Sequence, residues 1–133
     1  FEGEPYQAPV NARRRWYTVP YRFTAAAATL SVQNRIWPGY DFDFVIRSLT
    51  YSVVSGSADV WTQLFDQNRK PFQSLAVPID FMFTNNAGAG SGRSGLVNGE
   101  LVIPAGEEIS LSVQTNDAIT LDFQFTGERV DRR

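Results

Sequence analysis

Apolar and polar residues alternate with a period of two along most of this chain, which is the signature of half-buried β-strands. In the stretch WYTVPYRFT, Tyr17, Val19, Tyr21 and Phe23 share one face, while Trp16, Thr18, Arg22 and Thr24 share the other. Pro20 removes a backbone donor, so this strand is expected at a sheet edge or at a bulge. Four alanines follow, and Leu30, Val32 and Ile36 then recur at even spacing, predicting a turn and a strand over 29–36. WPGYDFD, residues 37–43, is a turn by its Pro-Gly pair. The long run over 44–54 changes parity: Phe44 and Ile46 fall on one register, Leu49, Tyr51 and Val53 on the other. A bulge near Arg47–Ser48 reconciles them.

Further strands are predicted over 60–66, 74–83 (interrupted by Pro78), 96–103, 108–115 and 118–127. The last two alternate cleanly, with Ile109, Leu111 and Val113 on one face of the first and Ile119, Leu121, Phe123 and Phe125 on one face of the second. Residues 84–95 hold four glycines and form the one low-complexity loop. Residues 1–15, with two prolines and no apolar period, read as an extended N-terminal arm, leaving 16–133 as a single domain. Eight short strands, hardly any helix and regular turn signals define an all-β chain. The expected fold is an eight-stranded antiparallel jelly-roll-like β-sandwich.

That fold makes the first and last strands antiparallel neighbours. It therefore draws Arg13, Arg14 and Arg15 toward Arg129, Arg132 and Arg133, a basic foot on an otherwise acidic body. The chain carries eleven arginines and one lysine against fourteen acidic residues, a formal charge of −2. A molecule that is acidic overall is poorly suited to nucleic acid, whereas arginine suits bidentate pairing with carboxylates. The foot is a solvated end, an arm that docks on an acidic protein surface, or a contact for nucleic acid.

Composition also narrows the chemistry. There is no cysteine and no histidine, which removes disulfides, thiolate chemistry, the Ser-His-Asp mechanism and the commonest metal ligand. A Ser–Lys pair would need Lys70, which lies in a polar turn. Asp41 and Asp43 could form a carboxylate pair or part of a calcium site, but no third ligand follows, and the simpler reading leaves both in solvent at a strand entry. Glu107 and Glu108 are neighbours in a turn and point to opposite faces. Ser91, Ser94 and the glycines around them lack the Gly-Lys-Ser/Thr spacing and the following helix of a phosphate cradle. No catalytic residue, cofactor or metal is expected. No apolar run is long enough to span a bilayer, and the polar N-terminus carries no secretory pattern. High aromatic content, 14%, leaves one binding alternative, a sugar-stacking platform formed by Trp37, Tyr40 and Trp61.

Several stretches carry a resemblance. They are PYRFTAAAATLSVQ, the Pro-Gly turn, DFDFVIRSLTYSV, VWTQLFDQNRKPFQSLAVPIDFMF and LVIPAGEEISLSVQTNDAITLDFQFTGERV. In this order they resemble the small β-sandwich virion proteins of tailed bacteriophages, with Val77–Pro78, Pro104 and Gly106, and Phe125 and Gly127 at the corresponding positions. The resemblance implies a non-enzymatic decoration or cement protein on the outer surface of the capsid. It would be a homo-dimer or homo-trimer that binds the major capsid protein and bridges capsomers through terminal arms. Tyr6, Arg13, Arg14, Arg15, Trp16, Arg132 and Arg133 would then face the shell. A carbohydrate-binding or host-recognition module of a tail or fibre is the alternative.

Overall fold

In a computed structural model of the chain, which describes residues 14–65, 75–85 and 101–131, most of the described backbone is strand. The strands are β1 (Arg14–Ala25), β2 (Thr29–Ile36), β3 (Phe42–Gly56), β4 (Val60–Phe65), β5 (Val77–Pro78), β6 (Thr84–Asn85), β7 (Leu101–Ile103), β8 (Ile109–Thr115) and β9 (Ile119–Asp131). One sheet runs β1-β9-β3-β6, with β7 also paired to β3, and the other runs β2-β8-β4-β5. β1 pairs with β9, β2 with β8, β3 with β7 and β4 with β5, all antiparallel. Such nested pairing is a long antiparallel ribbon rolled into two facing sheets, the topology of a jelly roll. The two-residue β6 runs parallel to β3 and is the exception.

β1, β4 and most of β9 bury one face each, while β8 is buried on both. Val19 and Phe23 of β1, Leu49 and Tyr51 of β3, Leu64 of β4, Leu111 and Val113 of β8, and Leu121, Phe123 and Phe125 of β9 meet in one core. Phe83 packs edge-on against Phe123 and Phe125, with ring centroids 5.1 and 6.1 Å apart. The outward face of the first sheet is polar. There Arg22 grips Asp122 through two hydrogen bonds of 2.7 and 3.0 Å, and Thr18 meets Thr126 at 3.2 Å.

β1 lies at the sheet edge, where Pro20 has no second ladder to interrupt. The β3–β9 register shifts between Ile46 and Ser48, so the bulge falls where the parity change places it, and it shifts again between Val53 and Ser55. Gly127 faces Ile46 there, and the backbones approach so closely that a Cβ on Gly127 would lie 1.9 Å from the Val45 carbonyl oxygen.

Three expectations need correction. The first strand begins at Arg14, not Trp16, so Arg14 and Arg15 belong to β1 and pair with Val130 and Arg129. The run 74–83 is not one strand: only Val77–Pro78 pairs, and Ile79–Phe81 forms a single 3-10 turn. β9 continues to Asp131, four residues past the predicted end. No helix of the described residues is long and apolar enough to cross a membrane.

Candidate functional site

The β1–β9 ladder sets Arg14 and Arg15 beside the far end of β9, which carries Glu128, Arg129 and Asp131. The outward-facing group forms around Glu128. Arg47, the bulge residue of β3, donates to Glu128 Oε1 at 2.8 Å, and Arg14 donates to the same oxygen at 3.2 Å. The Arg47 hydrogen bond, opposed by partial burial and helped by the charges of Arg47 and Arg14, holds the Glu128 carboxyl below its ordinary range. The second group lies at the end of the core. Arg15 and Arg129 both reach Asp131, at 3.3 and 2.7 Å. The Arg129 guanidinium stacks over Phe42 at 4.2 Å and approaches the Tyr17 ring at 5.5 Å, closing the core with a cation–π lid.

Four arginines therefore converge on two carboxylates at one end of the sandwich. The convergence of Arg14, Arg15 and Arg129 follows from the topology. What the reading of a basic foot left out is the acids interleaved with them. Glu128 and Asp131 neutralise part of the cluster, and a salt bridge of this exposed kind contributes little to stability, about 0–1 kcal/mol. Tyr6, Arg13, Arg132 and Arg133 lie outside the described residues.

The same end presents aromatic surface. Trp16 stands on the outward face of β1, opposite Glu128, with 69% of its surface exposed. The loop between β2 and β3 carries Trp37 and Tyr40, 48% and 74% exposed. This loop is clasped to the turn before β8: Trp37 Nε1 donates to the Gly106 carbonyl at 3.2 Å, and Gly106 N–H donates to the Gly39 carbonyl at 3.0 Å. Gly106 has φ +82°, which glycine adopts without strain, and any Cβ there would touch Tyr40. Asp43 supports the same turn. It is buried, not solvated as expected, and its Oδ1 accepts the Ala105 N–H at 3.0 Å, while Asp41 is exposed. Glu108 pairs with Arg35 at 3.5 Å.

Trp61 does not join Trp37 and Tyr40. It pairs with Gln114 on β8, whereas Ile36, the residue before Trp37, pairs with Ile109. Five residues of strand, roughly 17 Å, separate the two positions. Trp61 instead lines a cleft at the far end with Tyr51, Asp80 and Asp59. Sequence reasoning did not single out Tyr51 or Asp80. The Tyr51 hydroxyl donates to Asp80 Oδ1 at 2.5 Å across 29 residues of chain, a contact with no local signature.

The class the geometry defines is a two-sheet jelly roll with an aromatic and arginine-rich end. No known family, curated protein or solved structure matches the chain.

Proposed function

We propose that the protein is a structural component of a virus particle, a decoration or cement protein that docks on the major capsid protein from outside and bridges neighbouring capsomers. The observation that carries a docking role is the grouping of exposed Trp16, Trp37 and Tyr40 with Arg14 and Arg15 at one end of the sandwich. Tryptophan, tyrosine and arginine are the residues that dominate protein–protein binding energies. Arg14 and Arg15 are half-exposed in their ion pairs, so each can exchange its present carboxylate for one on a partner. The choice of a phage capsid as partner rests on the resemblance of the strand and turn motifs. Arms from a dimer or trimer would add avidity through repeated weak contacts.

The test has two parts. Copy number relative to the shell protein in purified particles is expected in the hundreds, and a dozen or fewer moves the protein to a tail or vertex. The variant Arg14→Ala/Arg15→Ala/Trp16→Ala is expected to stay folded and to lose particle binding. Binding that survives this variant removes the β1–β9 end from the mechanism.

A second reading is favoured by exposed Trp37 and Tyr40, both of which adjoin Gly106 and can offer ring faces to a sugar. A glycan array separates the two readings. Binding there that is abolished by Trp37→Ala, with no particle binding, selects host recognition instead.

A further inference from the structure

The end of the sandwich opposite the arginines carries an acidic cleft between the sheets. Its volume is about 250 Å³, and Val53, Pro78, Ile79, Leu121 and the Trp61 indole form its walls. Small-molecule pockets run from roughly 300 to 1,000 Å³, so this one is sized for a single side chain or fragment. Asp59 and Asp80 stand at its rim, both exposed.

Among the described residues each carboxylate is held in place by one oxygen and keeps the other available. Asp80 Oδ1 accepts the Tyr51 hydroxyl, and Asp59 Oδ2 accepts the Asn116 amide at 3.1 Å, while the Asp59 N–H donates back to Asn116 Oδ1 at 2.8 Å. Among the described residues neither acid has a cation partner. All six arginines among the described residues are committed elsewhere, to Asp122, Asp131, Glu108 or Glu128. The neighbouring turn adds Asp117, whose carboxylate accepts the Ala118 N–H. The rim thus holds fixed, uncompensated negative charge above an apolar slot.

We infer that this cleft is a second docking site that receives an arginine side chain from a partner protein. The aliphatic stem lies against Trp61 and Pro78, and the guanidinium spans Asp59 and Asp80. A planar cation with five donors in a fork suits two separated carboxylates. The apolar walls accept the methylenes that such a side chain keeps out of water. The inference stands on the cleft alone and does not require the particle role proposed above.

The probe is the peptide acetyl-Gly-Arg-Gly-amide added to the full chain, followed by amide and indole NMR. The Trp61 indole and the Tyr51 region are expected to shift with a Kd on the order of 1 mM at low salt. Binding is expected to weaken severalfold when ionic strength rises from about 50 to about 500 mM. The norleucine analogue, with the stem but not the charge, is expected to leave both signals in place. Asp59→Asn/Asp80→Asn is expected to weaken binding at least tenfold while the rest of the spectrum stays unchanged. If that double variant unfolds, the salt series and the norleucine comparison on the wild-type chain make the same discrimination. The inference is overturned if the arginine peptide shifts nothing, if norleucine binds equally well, or if binding is indifferent to salt or survives in the folded double variant.

Discussion

The closest backbone approach described, at Gly127, makes a sharp test of the β3–β9 ladder. Replacing it with alanine adds one methyl group. That carbon would sit 1.9 Å from the Val45 oxygen, 2.9 Å from the Val45 carbonyl carbon and 3.0 Å from the Arg47 nitrogen. All three atoms are backbone, so no rotamer change relieves the clash, and β9 must move by more than an ångström from the bulge of β3. Overpacking of this kind costs about 1–3 kcal/mol. Weakened ladder bonds on either side of Ile46 add about 1–2 kcal/mol. The stiffer unfolded chain of the alanine variant offsets about 0.4–1 kcal/mol. The net loss is then about 1.0–4.6 kcal/mol. With an unfolding entropy of roughly 2.1 cal/mol/K per residue over 133 residues, Tm falls by about 4–16 °C. Gly106→Ala is the control. Its φ of +82° is strained for alanine, but the nearest atom to the new Cβ is Tyr40 Cδ1 at 3.9 Å, so only the backbone term of about 1–2 kcal/mol applies. Thermal unfolding followed by circular dichroism measures both. A Gly127→Ala variant within about 2 °C of wild type, or a Gly106→Ala variant that loses as much, refutes the close-approach argument.

Three further outcomes are expected. Thr62 is fully buried on β4, and its hydroxyl has no hydrogen-bond partner among the described residues, so Thr62→Val is expected to stabilise the domain by about 1 kcal/mol in urea unfolding; a loss of stability would mean the hydroxyl is satisfied. Burial, with the Asp80 hydrogen bond and charge, pushes the Tyr51 phenol up to about 12 from 10.0. Its folded value is the higher one, so its contribution is complete below pH 10.0 and is lost as pH rises through about 12, and Tyr51→Phe is expected to flatten the stability profile across that window. Glu128 has a depressed value in the fold, so its contribution is present above its ordinary 4.5 and disappears as pH falls through the lower folded value; Glu128→Gln is expected to make acid unfolding begin from a lower baseline and with less slope below pH 4.5, and an unchanged slope would exclude the Arg47 and Arg14 pairs as its cause.

How much of this was legible in the sequence depends on how each segment is stabilised. Strands with one face in the core announce themselves by alternation, and β1, β2, β8 and β9 were placed that way within a few residues. The β3 bulge was legible because a register slip moves the apolar set to the other parity, from Phe44 and Ile46 to Leu49 and Tyr51. The extension of β9 through Glu128 and Arg129 was not. Glu128 is held by Arg14 and Arg47, and pairing across some eighty residues or more leaves no local period. The stretch over 74–83 failed for a different reason. Its apolar content reflects Ile79, Met82 and Phe83 filling the core from an irregular segment after Pro78, not a pleated strand. The arginine end was half legible. Topology foretold that Arg14 and Arg15 meet Arg129, but ion pairing depends on which acids share their face. Trp61 was assigned to the wrong neighbours because side chains far apart in sequence can be grouped only through strand register.

The pairing of β1 with β9 also determines how the molecule would bear mechanical load. Tension applied between residues 14 and 131 acts at the same end of one antiparallel ribbon, so the rungs open singly, Arg14 from Val130 first and Ala25 from Ile119 last. A tether attached there peels the edge strand away at low force, before the second sheet is disturbed. A pull between Phe42 and Ile119, by contrast, loads opposite ends of the β3–β9 ladder and must shear Phe42–Gly56 past its neighbour along thirteen partners at once.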